Sequence, residues 1–431
     1  MPSVYMCFST DIIHLGHIRI IQQAAALGEL TIGVLDDESI SMFKRYPLIP
    51  LQERIELFSS FHGVSRVVIQ KGLSYKSILE ELRPRIVVHG DNWRTGYQSA
   101  IREEVIQVLK NWHGELVEFP YTYSSAEKAI NNIDVLLSMP ENRRSRLKKL
   151  LSYKPYLSIM EAHNGLTGLL VEKTRVETEK GIRQFDGMWV SSLCDSTIKG
   201  KPDIELVDMT SRIRTLEEIM EVTTKPIILD GDTGGKVEHF IYNVQTLERT
   251  GISAIIVEDK IGLKRNSLFG AEAQQQQDSI EGFCEKLHEG KLAQRTQDFM
   301  IFARCESLIL QQGKEDALNR CRAYVQAGAD GIMIHSCAKT PDEVFDFCDD
   351  FRQSYPNIPI VVVPTTFNHT TEAELAEHGA NIIIHANHLL RSAFPAMKTT
   401  AESILRDGAS ASASEKFCMP IAEILSLLPN K

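Results

Sequence analysis

Leu229-Asp-Gly-Asp-Thr-Gly-Gly235 closes one short apolar run of this chain, and Val257-Glu-Asp-Lys260 closes another. In each, apolar residues (Ile227 and Ile228, then Ile255 to Val257) lead straight into carboxylates: Asp230 and Asp232 in the first, Glu258 and Asp259 in the second. Short apolar runs bounded by turn residues read as buried strands. Carboxylates converging from neighbouring strand ends make the oxygen-rich setting that a hard divalent cation such as Mg2+ needs. A lone Asp-x-Asp is common in turns. The second acidic strand end, with Lys264, Asn266 and Ser267 just beyond it, points to a site.

Working outward, apolar runs recur at 155–160, 187–190, 226–229, 254–257, 300–303, 331–334, 360–363 and 382–384, each separated from the next by a segment of helical period. This α/β alternation predicts a C-terminal (β/α)8 barrel of the usual size, about 250 residues. Active sites of such barrels sit at the carboxyl ends of the strands. Read there, the chain offers Glu161 with His163 and Asn164, Ser191 with Ser192, Asp230 with Asp232, and Glu258. The later ends give Arg304 with Glu306, His335 with Ser336, Thr365 with Thr366, and His385 with Asn387. Nearly every strand ends in a group that binds a metal or an anion.

A second alternation occupies the start of the chain. Runs at 4–8, 30–34, 66–69, 86–89 and 116–119 read as strands of a small doubly wound sheet, with His14-Leu-Gly-His17 opening the helix after the first. The expected domains are therefore 1–135, a linker at 136–154 and the barrel at 155–431. The linker, read as partly helical, carries Arg143, Arg144, Arg146, Lys148 and Lys149, which read as a solvated basic face. Residues 408–414 are rich in Ala and Ser and read as mobile; 420–428 read as a small apolar helix packing back onto a domain or a neighbouring subunit.

Composition narrows the classes. At 431 residues two domains are expected. A net charge of −10 argues against a nucleic-acid-binding surface. No apolar stretch approaches the roughly 20 residues a membrane span requires, and the N-terminus has no signal-peptide pattern. The eight cysteines include no Cys-x-x-Cys pair, which favours a reducing compartment, with cytoplasm the expectation.

The barrel residues have a coherent chemistry. Mg2+ on Asp230, with Asp232 and Glu258 directly or through water, would polarise an oxyanion such as the enolate of a 2-oxo acid. Arg304 can grip a phosphoryl group or carboxylate through two N–H groups, with His335, Asn266 and Ser191 as point donors. The alternatives are an ion pair between Arg304 and Glu306, and a buried hydrogen-bonded core role for His335. A metal beside anion donors points to a small, highly charged phosphorylated or dicarboxylate substrate.

Several longer motifs carry a resemblance: Glu161-Ala-His-Asn-Gly-Leu, Trp189-Val-Ser-Ser-Leu-Cys-Asp-Ser-Thr, Lys201-Pro-Asp-Ile-Glu, Leu229-Asp-Gly-Asp-Thr-Gly-Gly and Glu258-Asp-Lys-Ile-Gly-Leu-Lys-Arg-Asn-Ser. With Arg304-Cys-Glu-Ser-Leu, Gly331-Ile-Met-Ile-His-Ser and Ala386-Asn-His, they resemble the phosphoenolpyruvate mutase family of the isocitrate lyase superfamily from about 156 to 405. The resemblance implies interconversion of phosphoenolpyruvate and phosphonopyruvate, the step that forms the carbon–phosphorus bond of phosphonates. It implies Mg2+ on Asp230, Asp232 and Glu258. The substrate would be held by Trp189, Ser191, the backbone amides of Ser192 and Leu193, Asn266, Arg304 and His335. Asp203 and Lys264 would lie on segments that close over the site, Gly262 being a hinge. Where the family pattern expects Ser-Gly-Leu, this chain has Ser191-Ser192-Leu193. A homodimer or homotetramer with exchanged C-terminal helices is implied as well.

Relatives with other chemistry are weighed by the same residues. Carbon–carbon lyases of the superfamily carry a catalytic cysteine in the closing loop, and 260–267 contains none. Phosphonopyruvate hydrolases have Thr where Asn266 stands. In the N-terminal domain, His14-Leu-Gly-His17 resembles the His-x-Gly-His motif of cytidylyltransferase-like nucleotidyltransferases. Lys44, Arg54 and His89-Gly-Asp-Asn-Trp93 extend that likeness, and CTP is the nucleotide it implies. The element downstream is echoed only loosely by Tyr123-Ser124-Ser125. The competing readings are a degenerate nucleotide-binding or oligomerising module, with His14 and His17 merely capping the helix.

Overall fold

In the computed structural model the described residues are 1–10, 12–43, 47, 49–94, 98–120, 137–178, 181–262, 264–267 and 275–427. They fall into two compact units: Met1–Leu137 with Arg175–Gln184, and Ser138–Thr174 with Phe185–Lys431.

The first unit is built on strands β1 (Ser3–Phe8), β2 (Glu29–Leu35), β3 (Val64–Gln70), β4 (Ile86–Gly90) and β5 (Glu115–Phe119), all parallel, in the order β3-β2-β1-β4-β5. Side chains alternate across a strand. Val4, Met6 and Phe8 accordingly pack on one face with Ile21, Ile32 and Phe58, while Tyr5 packs on the other with Tyr75, Val87, Trp93 and Val105. Strand order reverses between β1 and β4, the place where doubly wound sheets open a crevice at the carboxyl ends. A cavity lined by Cys7, Ser9, Gln70, His89 and Trp93 lies at those ends.

Glu118 on β5 anchors the rim of this sheet. It accepts from Trp93 Nε1 at 2.7 Å, Arg102 Nε at 2.9 Å and Arg94 Nη2 at 2.9 Å. Arg102 foremost, with Arg94 and Trp93, overcomes partial burial and holds the Glu118 carboxyl at about 2. A carboxylate depressed on folding stabilises fully above its unfolded value, and the contribution disappears as pH falls from about 4.5 through about 2. Trp93 fluorescence should therefore report loosening of this unit in that window, and Glu118→Gln should flatten the response. An unchanged acid transition in the variant would remove Glu118 from the account.

The second unit is the barrel. Its strands are β6 (Leu157–Glu161), β9 (Gly187–Val190), β10 (Ile227–Asp230), β11 (Ala254–Glu258), β14 (Met300–Cys305), β15 (Gly331–Ile334), β16 (Ile360–Val362) and β17 (Ile382–His385). They close into one parallel barrel, β17 pairing back onto β6, as the apolar runs predicted. Two antiparallel hairpins were not anticipated: β7 (Arg175–Thr178) with β8 (Gly181–Gln184), and β12 (Lys260–Ile261) with β13 (Gln276–Gln277). The β7–β8 hairpin leaves the barrel sequence between its first two strands and is part of the first compact unit.

The basic stretch, expected as a partly helical linker with a solvated basic face, is the helix Pro140–Leu151, and Arg143, Arg144, Leu147 and Leu150 are buried in it, not solvated. Its guanidinium groups donate to backbone carbonyls: Arg143 to Thr223 at 3.1 Å, Arg144 to Glu248 at 2.9 Å and Arg146 to Thr224 at 2.9 Å. Those carbonyls lie at or just after the C-terminal ends of the helices Met209–Met220 and Val237–Thr250. Helix ends leave carbonyls without intrahelical partners and favour positive charge. Burial pulls Arg143 down to about 10. The Ala- and Ser-rich stretch read as mobile forms the helix Ala411–Phe417, and the following helix Ile421–Ser426 leaves Ile421, Ile424 and Leu425 exposed.

Candidate active site

Sequential strand ends deliver the site. β10 ends at Asp230, and the turn after it is forced tight: a Cβ on Gly231 would stand 2.7 Å from Ile255 Cγ1 and 2.9 Å from the Ile256 carbonyl, so only glycine fits. Asp232 then adopts φ 54°, an unusual conformation for a side-chain-bearing residue. β11 ends at Glu258, paired in register with Arg304 on β14. The cavity at these ends is lined by Trp189, Ser191, Ser192, Leu193, Asp203, Asp230, Lys264, Asn266, Arg304 and His335. The predicted catalytic and substrate-binding residues thus converge on one place.

Asp230 is buried and accepts from Ser192 N at 3.1 Å, Ser192 Oγ at 2.9 Å and Asp232 N at 3.2 Å. Burial works against its charge, yet Lys264, Arg304 and Arg212 hold its carboxyl well below the usual range. Asp232 turns to two cations, accepting from Arg212 Nη1 at 2.7 Å and from Lys264. Lys264 also donates to Ser192 Oγ at 2.6 Å and to Asp203 Oδ1 at 3.2 Å. Asn266 Nδ2 donates to the other Asp203 oxygen at 2.7 Å. Residues 264–267 are thereby tied to the loop carrying Asp203, across the cavity.

Arg304 forms the opposite wall. It donates from Nε to Glu306, from Nη2 to Ser267 Oγ at 2.6 Å and to His335 Nδ1 at 3.0 Å, and Nη1 lies 3.5 Å from Glu258 Oε2. Both alternatives for this pair are therefore realised together: Arg304 is ion-paired with Glu306, and it lines the cavity. Burial, then the neighbouring Arg304, lowers the pKa of His335. A neutral ring accepting at Nδ1 carries its proton on Nε2, as a donor. Lys260, fully buried, bonds Ser267 Oγ at 2.6 Å and pairs with Glu306 Oε2 at 3.0 Å.

Among the described residues, no three His, Cys, Asp or Glu side chains gather closely enough to hold a metal ion by themselves. Asp232 is engaged by Arg212 and Lys264. The donors nonetheless suit Mg2+, an ion that retains several waters and takes one or two protein carboxylates. Asp230 stands at a strand end, and Oε1 of buried Glu258 has no hydrogen-bond partner. Burial pushes Glu258 up to about 7 against the pull of Arg304, Lys264 and Lys260, an environment that added positive charge would relieve.

Residues 147–405 match the family described as phosphoenolpyruvate phosphomutase. The chain belongs to the phosphoenolpyruvate phosphomutase family. Residues 7–140 match the family described as cytidylyltransferase-like. A phosphoenolpyruvate phosphomutase of Tetrahymena pyriformis is 35% identical over 62% of this chain and 84% of its own. A phosphonopyruvate hydrolase of Variovorax sp. strain Pal2 is 34% identical over 62% of this chain and 88% of its own. Among solved structures, a phosphonopyruvate hydrolase in complex with oxalate and Mg2+ superposes with TM-score 0.58 at 32% identity, covering 66% of this chain and 94% of that one. Membership of the family fits the strand-end residues already described, and mutase and hydrolase relatives stand about equally near.

Arg212, Lys260 and the Ser192 hydroxyl are the site groups that sequence reading did not single out. Arg212 left a signal: on its helix the buried positions are Arg212, Thr215, Leu216 and Ile219, so an arginine occupies a core-facing place in a helical stripe.

In the N-terminal unit His14 is the N-cap of the helix Leu15–Leu27, its Nδ1 accepting from Gly16 N at 3.1 Å, while His17 Nδ1 accepts from His14 N at 3.3 Å. Both rings therefore do cap the helix. Arg54 is buried against Asp37 and the Leu35 and Ile49 carbonyls, which places it in the core of the unit. Lys44 and the Tyr123-Ser124-Ser125 element lie outside the described residues. Among the described residues no helix is long and apolar enough to cross a membrane.

Proposed function

We propose that the barrel interconverts phosphoenolpyruvate and phosphonopyruvate. In that reaction the bond from phosphorus to the enol oxygen breaks and a bond from phosphorus to the terminal carbon forms, with no net gain or loss of protons. The observation that carries the proposal is the tie across the cavity, Lys264 and Asn266 to Asp203. A migrating metaphosphate-like group must be kept from water, and a shut site does this.

In this reading Arg304, neutral His335, Ser191 and Asn266 hold the phosphoryl oxygens, and Trp189 walls the pyruvyl group. The amide of Ser192 is already engaged by Asp230, leaving the Leu193 amide as the backbone donor of that turn. Asp230, with Glu258, would hold Mg2+, which would supply counter-charge for the pyruvyl oxygens. Cationic Lys264 and Arg304 add preorganised charge in a dry cavity.

Hydrolysis of phosphonopyruvate is the second reading, favoured by the near-equal likeness to the Variovorax hydrolase. Phosphorus-31 NMR of the protein with phosphonopyruvate and Mg2+ separates them: phosphoenolpyruvate is the expected product, and inorganic phosphate alone would overturn the mutase assignment.

We also infer that the N-terminal unit binds CTP. The rings of His14 and His17 lie 3.8 Å apart, tilted by 34°, at a helix start, where backbone N–H groups favour anions. Capping through Nδ1 leaves the proton of each neutral ring on Nε2, a donor suited to phosphate. Because His14 also caps the helix, His14→Asn with His17→Ala is the informative double variant, Asn being a good N-cap. Calorimetry on the full chain should show CTP binding with Mg2+, weakened about a hundredfold in the variant, roughly two charge-assisted hydrogen bonds. Binding absent from the parent would leave the degenerate-module reading. Phosphoryl transfer in the barrel should be unchanged.

A further inference from the structure

Ser192 enters the site through its backbone in the sequence reading, yet its hydroxyl stands where the resemblance expects a glycine without one. The side chain is buried at 5% exposure. Its hydroxyl can donate once and accept twice, and both abilities are in use: it donates to Asp230 Oδ2 at 2.9 Å and accepts from Lys264 Nζ at 2.6 Å. An ammonium has three N–H groups, and those of Lys264 have Ser192 Oγ, Asp232 and Asp203 as acceptors. Lys264 is only 3% exposed. Every donor on this buried cation is satisfied, and Ser192 supplies the single uncharged acceptor.

We propose that the Ser192 hydroxyl is a positioning group that pins Lys264 inside the cavity and thereby holds residues 264–267 shut. It joins three pieces of chain: the end of β9, Asp230 at the end of β10, and the segment that follows β11. Asn266 on Asp203 secures the same segment at its far side. Removing the hydroxyl leaves one N–H of a buried ammonium without an acceptor and takes one donor from Asp230. Hydrogen bonds to charged groups are the stronger class, and loss of one corresponds to about a tenfold shift toward the open segment.

The consequence for chemistry rests on the mutase reading. An open segment admits water to phosphonopyruvate. Water oxygen then bonds to phosphorus as the carbon–phosphorus bond breaks, the electron pair left on carbon takes a proton from that water, and pyruvate and phosphate leave. Weakening the pin therefore diverts flux from phosphoenolpyruvate to phosphate.

The test compares parent, Ser192→Ala, Ser192→Gly and Ser192→Thr in the full chain. Metal-free, substrate-free protein is acetylated with an amine reagent and each lysine followed by peptide mass spectrometry. Lys264 should react about tenfold faster in the Ala and Gly variants and at the parental rate in Thr, which keeps the hydroxyl. Lys225, buried in the same barrel and donating to the Phe185 carbonyl at 2.7 Å, is the control and should not change. Phosphorus-31 NMR should show a higher ratio of phosphate to phosphoenolpyruvate in Ala and Gly. Equal Lys264 rates in parent and Ala overturn the proposal. So does parallel acceleration of Lys225, which would mean a loosened barrel, or failure of Thr to restore protection, which would mean that volume matters and the hydroxyl does not. A parent that releases only phosphate removes the mutase reading, while the labelling result still decides the pin.

Discussion

Asp230→Ala should lower turnover of phosphonopyruvate by at least about a thousandfold, roughly 4 kcal/mol in the barrier, while the far-ultraviolet circular dichroism stays native. Two effects add. The variant loses the carboxylate proposed to hold Mg2+ and, on that proposal, the counter-charge for the pyruvyl oxygens. It also leaves Ser192 N, Ser192 Oγ and Asp232 N without their shared acceptor, so the turn that presents the phosphoryl donors loses its anchor. Asp230→Asn separates the two, because an amide oxygen can still accept these hydrogen bonds but brings no charge. If charge dominates, Asn is nearly as poor as Ala. A readout independent of turnover is thermal unfolding: Mg2+ should raise the midpoint of the parent and leave both variants unmoved. Full activity after exhaustive chelation, or a Mg2+-dependent midpoint in Asp230→Ala, would sink the metal assignment.

The expected damage follows from how the barrel gathers its site, and that gathering was legible in the sequence. The barrel strands are short runs of almost wholly buried residues, as in Ala254–Glu258 and Met300–Cys305. Chain segments of this kind in parallel sheets read as continuous apolar stretches, so strand ends could be located and the residues just after them assembled by topology alone. What topology does not fix is which neighbour a long side chain selects. Asp232 reads as a metal ligand beside Asp230, directly or through water, and only the fold shows that Arg212 and Lys264 also engage it. Lys260 reads as a strand-end lysine, and only the fold brings Glu306 and Ser267 around it.

The misread basic stretch has a related cause. Polarity counts assume that charged side chains face water. In the helix Pro140–Leu151 the guanidinium groups of Arg143, Arg144 and Arg146 instead meet backbone carbonyls in the last turn of one helix and in the turn beyond another, partners that leave no mark on the sequence pattern. Long stems also let arginine cover apolar surface while its head finds a polar partner. The β7–β8 hairpin escaped for the opposite reason: strands of four residues, with exposed Arg175 and Arg183, carry no apolar period to read.

Arg304→Lys should be far from conservative: kcat should fall by about a hundredfold or more, close to 3 kcal/mol. The guanidinium of Arg304 serves Glu306, Ser267 and His335 at once and lies near Glu258. A lysine places one compact charge on a flexible stem and cannot reproduce that planar fork. Ser267 and His335 would lose a shared donor, and the phosphoryl group would lose paired N–H contacts. The variant also changes protonation in a direction that can be worked out. Burial and then Arg304 keep the His335 pKa below its ordinary value, whereas Glu306 pulls it upward. Arg304→Gln removes the positive neighbour and keeps Glu306, so His335 should titrate at higher pH and be protonated over a wider range. The acid limb of kcat, set by loss of neutral His335, should therefore move to higher pH in Arg304→Gln, and NMR of the His335 ring should show the same displacement. A lysine variant within threefold of the parent, about 0.7 kcal/mol, would make Arg304 a structural partner of Glu306. An unmoved acid limb in the glutamine variant would separate His335 from the chemistry, leaving Asn266 and Ser191 as the point donors of the proposed phosphoryl clamp.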